Sequence, residues 1–418
     1  MSAPVTSING YRESFQRFVD DASFLWVLRS IAIKQAGYES SDIQDLDERI
    51  DALLDVLILV PDESWALCKE SAAIGQAGEI FTTAIIAFRS LDVAKIQFAV
   101  DTALAADNAI NGLASALAWL PGRLVHSWIK KFLNSKDLNH KYLALIALSL
   151  RREDPREYLS VICNREDCIA HALLYSRALR LIGELKRFDL VDVLRTAMNS
   201  DVASVKFWAH WSNILLGDYS SAEKLYPYIK TKNPLQEKAI EIAFNVLNID
   251  QAKEWIVQLA KEPKQIRAAI KASSVLGDPQ VIPWLITQMR IPELSRVAGE
   301  AFTIITGVDL EKNNVALVDL PELDEQFQGE EDNNVDLDED LYLPFPDADR
   351  VAAVWQKYQN RFISGKRYFF GKPQEEEFIA HLLAMGDQRL RRKAAIKLAL
   401  IRQGSFLMNT AGWRGSSE

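Results

Sequence analysis

A turn residue, Asp or Pro, recurs just ahead of an Ala- and Leu-rich stretch at Asp107, Asp137, Asp167, Asp201, Pro234, Pro263 and Pro292. The intervals are 30, 30, 34, 33, 29 and 29 residues. Self-similarity at a fixed period of roughly 20–50 residues marks a repeat architecture and outranks any local reading. Each unit reads as two helices. Around Pro263, IRAAIKASSVLGDPQVIPWLITQM has an apolar helix from Ile266, a Gly277-Asp278-Pro279 break and a second helix from Val281 to Met289. A hairpin this short cannot bury both of its faces, so neighbours must stack around one continuous core. The expected fold is all-α, an α-solenoid of HEAT-like helical hairpins.

Two further regularities keep the same register. A basic or imidazole side chain follows the turn residue by four at Lys141, His171, Lys238, Arg267 and Arg296, one helical turn into each second helix. This series reads most simply as a structural ladder. Trp128, Trp255 and Trp284 stand eight or nine residues before a turn and are each followed by Ile or Leu, as core knobs at helical spacing.

Outside the array, residues 1–90 read as a helical N-terminal cap, with FQRFVDDASFLWVLRSIAI and LDERIDALLDVLILV as its clearest helices. The array itself covers 91–308. The acidic insertion follows at 309–347, and residues 309–349 hold 15 Asp/Glu and one Lys, leaving 47 Lys/Arg against 42 Asp/Glu elsewhere. That composition buries too little apolar surface to offset its ordering entropy, so 319–341 is expected to be a flexible acidic insertion. Leu343-Pro344-Phe345-Pro346 should anchor it downstream. Residues 348–418 form a C-terminal helical region, with a helix over 349–362, an aromatic strip at Tyr368-Phe369-Phe370 and a final basic hairpin. That hairpin turns at Asp387 and continues the array.

The 418 residues, 49% hydrophobic with 3 Cys, exclude a disordered chain and a disulfide scaffold. Charges at Arg12, Glu13, Arg17, Asp20 and Asp21 interrupt any signal-type apolar run, and no stretch approaches the ~18 apolar residues of a membrane span. A cytoplasmic protein without membrane insertion is expected. Phosphate-loop, nucleophile-elbow and HExxH motifs are absent, so neither a reaction nor a cofactor is expected. Cys163, Cys168 and His171 form the sole Cys/His cluster, but C-x4-C-x2-H lacks a fourth ligand, and buried small hydrophobes with a structural His explain it better than zinc. Asp332, Asp336, Asp338 and Asp340 invite a calcium reading, yet the loop lacks the turn Gly and the closing Glu of a dedicated site.

Residues 350–418 carry 13 basic and 5 acidic residues, centred on Arg389, Arg391, Arg392, Lys393 and Lys397. Phosphates are one conceivable target. A solvated capping helix and an intramolecular partner for the acidic insertion are the favoured readings. The candidate partner-binding residues are Arg389, Arg391, Arg392 and Lys393, Asp336, Asp338 and Asp340, and the aromatic Trp355 and Tyr368.

Four stretches carry a resemblance: FLWVLRSIAIKQAGYESSDIQDLDERIDALLDVL, GEIFTTAIIAF, LPFPDADRVAAVWQKYQNRFISGKRYFFGKP, and GDQRLRRKAAIKLALIRQG with the terminal AGWR. Together they resemble an uncharacterised bacterial family of HEAT-like proteins encoded beside type VI secretion genes, from about residue 20 to residue 414. The resemblance departs mildly at Val354-Trp355 and at Phe345, where a Trp pair and a Trp are expected. It implies an adaptor role in effector or spike loading, with a secretion component or effector as protein partner and no catalytic residues. An immunity protein against one toxin is the alternative, and a nucleic-acid-binding solenoid the third reading.

Overall fold

A computed structural model describes residues 6–106, 109–317 and 338–413, with side chains from Arg12 onward. Asp107, Asp332, Asp336 and most of the acidic insertion lie outside the described residues. The fold is all-α, with two compact units.

The first unit holds residues up to Lys34, Tyr38–Trp208 and the chain from Met408 onward. Its helices are α1 (Thr6–Ala32), α2 (Ser40–Ile58), α3 (Pro61–Ala72), α4 (Ala77–Ser90), α5 (Val93–Ala105), α6 (Ile110–Trp119), α7 (Gly122–Asn134), α8 (Leu138–Arg151), α9 (Glu157–Asn164), α10 (Glu166–Ala170), α11 (Ala172–Glu184) and α12 (Val191–Ala197). A further helix, α13 (Ala203–Leu215), runs across the unit boundary. Helices α4, α6, α8 and α11 lie side by side, each against the next, while α3, α5, α7 and α9 flank them as hairpin partners. The recurring Asp is explained by helix capping. Asp92 and Asp137 accept hydrogen bonds from the first free N–H groups of α5 and α8, which would otherwise have no partner. Asp167 departs from the expected pattern, since it falls inside α10 and the cap of α11 is His171, whose Nδ1 accepts from the Leu174 N–H at 3.2 Å. Lys141 is buried and donates to the Leu133 carbonyl at the end of α7.

The core of this unit centres on rings. Phe81 stacks on Trp26 at 5.3 Å and meets Trp119 edge-on at 5.4 Å. The terminal AGWR motif contributes here: Trp413 stacks on Trp119 at 5.0 Å, Asn409 donates to the Leu150 carbonyl, and Arg29, paired with Asp47, donates to the Ala411 carbonyl. Residues 408–413 are thus part of the N-terminal unit, a long-range return that no periodicity signals.

The second unit comprises Gln35–Gly37 and Ala209–Leu407. It contains α14 (Tyr226–Ile229), α15 (Gln236–Val246), α16 (Ile249–Ala260), α17 (Ile266–Leu276), α18 (Ile282–Gln288), α19 (Pro292–Thr306), α20 (Ala348–Tyr358), the strands β1 (Tyr368–Phe369) and β2 (Lys372–Pro373), α21 (Glu376–Met385) and α22 (Gln388–Ile401). Here α15, α17 and α19 form the continuous row, with α16 on α17, α18 on α19 and α20 on α18. Their core gathers Ile270, Leu285, Phe302, Ile305 and Val351. The final hairpin turns at Asp387 as expected, and Asp387 caps α22. It does not continue the row beyond α19. Helix α22 lies back against α15, because its cations find Glu241 and Asn245 there.

The segment between α20 and α21 is a strap across successive helix ends. The Gly365 N–H donates to Asp278, and Arg367 donates to the Phe244 and Leu247 carbonyls at the end of α15. The Tyr368 N–H reaches the Gly277 carbonyl at 2.8 Å, and the Phe370 and Gly371 N–H groups reach Ile304 and Ile305 near the end of α19. The strap comes close because Gly277 (φ +74°) and Gly307 (φ +72°) end α17 and α19 in the left-handed region and carry no Cβ. A Cβ on Gly277 would stand 2.2 Å from the Tyr368 carbonyl oxygen. Gly277→Ala should therefore destabilise the protein by about 2 kcal/mol or more, beyond the ~1 kcal/mol of an ordinary left-handed Gly→Ala change. Urea unfolding of the two proteins checks this, and an equal midpoint would mean that the strap does not rest on the helix end.

Candidate functional site

The ladder position explains the best-formed polar site. Arg267 on α17 and Arg296 on α19 are one repeat apart, and Lys271 is one turn beyond Arg267, so three cations line neighbouring helices. The last residues of the acidic insertion lie on them. Asp340, only 3% exposed, receives both Arg267 nitrogens at 2.7 and 2.8 Å. Lys271 donates to Glu339 at 2.8 Å. Arg296 donates to Asp338 and to the Asp340 carbonyl, while its guanidinium covers Phe345 at 4.9 Å. Arg389 of α22 adds a hydrogen bond to the Glu339 carbonyl at 3.1 Å. Side chains and backbone are both held, as a bound acidic peptide would be. Residues 338–341 of the stretch expected to be flexible are held in place, because ion pairs at Asp338, Glu339 and Asp340 offset their ordering cost.

A second set of carboxylates pairs with cations of the same region. Glu300 accepts from Arg389 at 2.8 Å and Lys393 at 3.0 Å, Glu241 accepts from Arg392 at 3.0 Å, and Glu237 accepts from Lys271 at 3.1 Å. Burial alone would raise the Glu300 carboxyl, but Lys393 and Arg389 outweigh it and hold the group below the usual glutamate range. Burial likewise opposes ionisation of Asp338, and the Asp340 N–H and Arg296 keep it low. Among the described residues, the cations of α22 are largely occupied by Glu300 and Glu241, and Asp338, Glu339 and Asp340 pair chiefly with α17 and α19.

The other expected site residues separate. Arg391 turns inward to the Leu383 carbonyl at 3.0 Å and closes its own hairpin. Tyr368, 5% exposed, is a strap residue whose hydroxyl accepts from the Ile363 N–H, so it presents no docking surface. Trp355 lies against Phe362 at 5.5 Å and lines a cleft of about 260 Å³ with Val354, Tyr358 and Arg361, built largely by the LPFPDAD…RFISGKRYFFGKP block. Asp336 lies outside the described residues. Lys271 and the carboxylates Glu237, Glu241 and Glu300 carry no motif. Their one signal in the sequence was the ladder, since Lys271 and Glu300 each follow a ladder Arg by four residues.

Among the described residues no group of three His, Cys, Asp or Glu is placed to hold a metal ion. Cys163 and Cys168 are buried, and burial pushes the Cys163 thiol up to about 12, so it stays protonated. No helix is long and apolar enough to cross a membrane, among the described residues. No family model, curated protein or solved structure matches the chain.

In the first unit Glu184, fully buried, is surrounded by Arg177, Arg180 and Arg152. Burial opposes its charge, and the three guanidinium groups hold it at about 2. Folded-state values below the unfolded 4.5 mean that stability from Glu184 and Glu300 is complete above that range; the Glu184 share is lost as pH falls toward about 2, and the Glu300 share as pH falls through its own lowered value. Glu300→Gln should flatten part of the acid slope of the urea midpoint. At neutral pH it should cost about 2–4 kcal/mol, because Arg389 and Lys393 lose their counter-ion. An unchanged slope and midpoint would remove Glu300 from the network's energetics.

Proposed function

We propose that this chain is a non-enzymatic protein-binding scaffold of the adaptor type, whose partner docks an acidic segment on the row formed by Arg267, Lys271, Arg296 and Arg389. The observation that carries this reading is the seating of Asp338–Asp340. The chain's own acidic residues occupy the row as a pseudo-ligand, with both side-chain and backbone contacts. An intramolecular occupant has a high effective concentration, so it can suppress weak acidic partners and yield to one with more contacts. The resemblance read from the sequence sets this activity in the cytoplasm, as an accessory of type VI secretion that loads an effector or spike component.

Nucleic acid is a poorer fit, because the cations of α22 already hold Glu241 and Glu300 and would have to exchange them for phosphates. For an immunity protein no feature of the row favours a toxin over a secretion component.

Replacing Asp338, Glu339 and Asp340 by Asn, Gln and Asn removes the negative charge of the row's occupant without shortening the chain. Affinity-purified protein from cells should then retain an acidic partner more strongly than the wild type, by about tenfold at low salt and less at high salt. Equal recovery of the same partners by both forms at either salt would refute the pseudo-ligand reading.

A further inference from the structure

A second polar cleft in the same unit is unused by the docking row. It measures about 540 Å³ and is lined by Asn248 and Ile249 at the start of α16, Arg367 and Gln374 of the strap region, and Lys397 and Gln403 from the last helix and its exit. Its charge is one-sided, for Arg367 and Lys397 line it and no carboxylate does. Lys397 is 4% exposed. It donates to Asn245 Oδ1 at 2.6 Å and to the Val275 carbonyl at 3.3 Å, and stands 5.0 Å over the Phe369 ring. An ammonium has three N–H donors, so one is left. Gln374 supplies more, because its Nε2 is buried with no partner among the described residues. Buried donors without acceptors are rare, and an unmade bond of this kind costs more than a made one gains.

We propose that this cleft binds a carboxylate, seated between Lys397 and Gln374 beside the first turn of α16. Few donors remain, and two carboxylate oxygens use them better than the three or more oxygens of a phosphate would. Arg367, whose Nη atoms hold the Phe244 and Leu247 carbonyls, contributes charge more than hydrogen bonds. The start of α16, a helix of 12 residues, adds the favourable end of its dipole. The carboxylate can belong to a small dicarboxylic acid or to the C-terminus of a polypeptide, since the cleft has room for either.

Burial, then Arg367 and Lys393, push the Lys397 ammonium down to about 7. The charged groups around it are those two cations, with Asp278 acting on Arg367 and Glu241 and Glu300 taken up by Arg392 and Lys393. A bound anion favours the protonated amine, so binding should take up a proton, and affinity should fall as pH rises through about 7.

The test titrates the full chain calorimetrically with succinate, with an N-acetylated alanine peptide bearing a free C-terminus, and with the same peptide amidated. Saturable binding of succinate, or of the free-ended peptide but not the amide, is expected, and which of the two binds identifies the source. Gln374→Leu should weaken it by about tenfold and Lys397→Met by more, with affinity lost on raising the pH. Thermal unfolding verifies that both variants fold, and Gln374→Leu alone decides if Lys397→Met does not. No saturation by any probe up to about 10 mM, equal binding of the amide, or an unchanged affinity in Gln374→Leu would overturn the proposal.

Discussion

Short helices have many ends, and every end leaves about four backbone groups without a partner inside the helix. A fold made from hairpins of roughly 30 residues must meet that requirement again and again. At the N-terminal ends the chain does so locally, with Asp92, Asp137, Asp278 and Asp387 accepting from the first free N–H groups and Pro292 occupying a first-turn site that has no N–H to satisfy. At the C-terminal ends of α15, α17 and α19 it does so at a distance. One strap delivers Arg367 and the Tyr368, Phe370 and Gly371 N–H groups to carbonyls on three successive helices. The aromatic run of the strap fills the spaces between, with Phe369 fully buried.

The same geometry produces the charged row. Stacking one repeat on the next puts equivalent ladder positions side by side, so Arg267 and Arg296 face the same segment. In the first unit the corresponding positions are closed inward, Lys141 on a carbonyl and His171 as a cap. One ladder therefore serves backbone satisfaction in one unit and recognition of carboxylates in the other. The difference lies in what lies opposite. A buried cation is tolerated only with an acceptor, and in the second unit the acidic residues 338–340 supply it.

The aromatic and Gly residues of the 343–373 block stand out in the sequence as unexplained by helical period, and the strap and the cleft at Trp355 account for them. Tyr368 has the composition of a docking anchor but is buried, because whether an aromatic faces solvent or core depends on the element opposite it. Lys397 likewise looks like one more cation on a basic helix. Only the return of α22 onto α15 and the end of α17 buries it against Asn245 and Val275.

Periodicity, caps and breakers are properties of neighbours along the chain, so the all-α class and the helical-hairpin unit were determined by the sequence alone. The direction of α22, the return of Trp413 to Trp119 and the pairing of Asp340 with Arg267 join residues far apart in the chain. Such pairs carry no period and no spacing. Competition among possible partners for burial and charge decides them, and that competition is settled only when the tertiary structure forms.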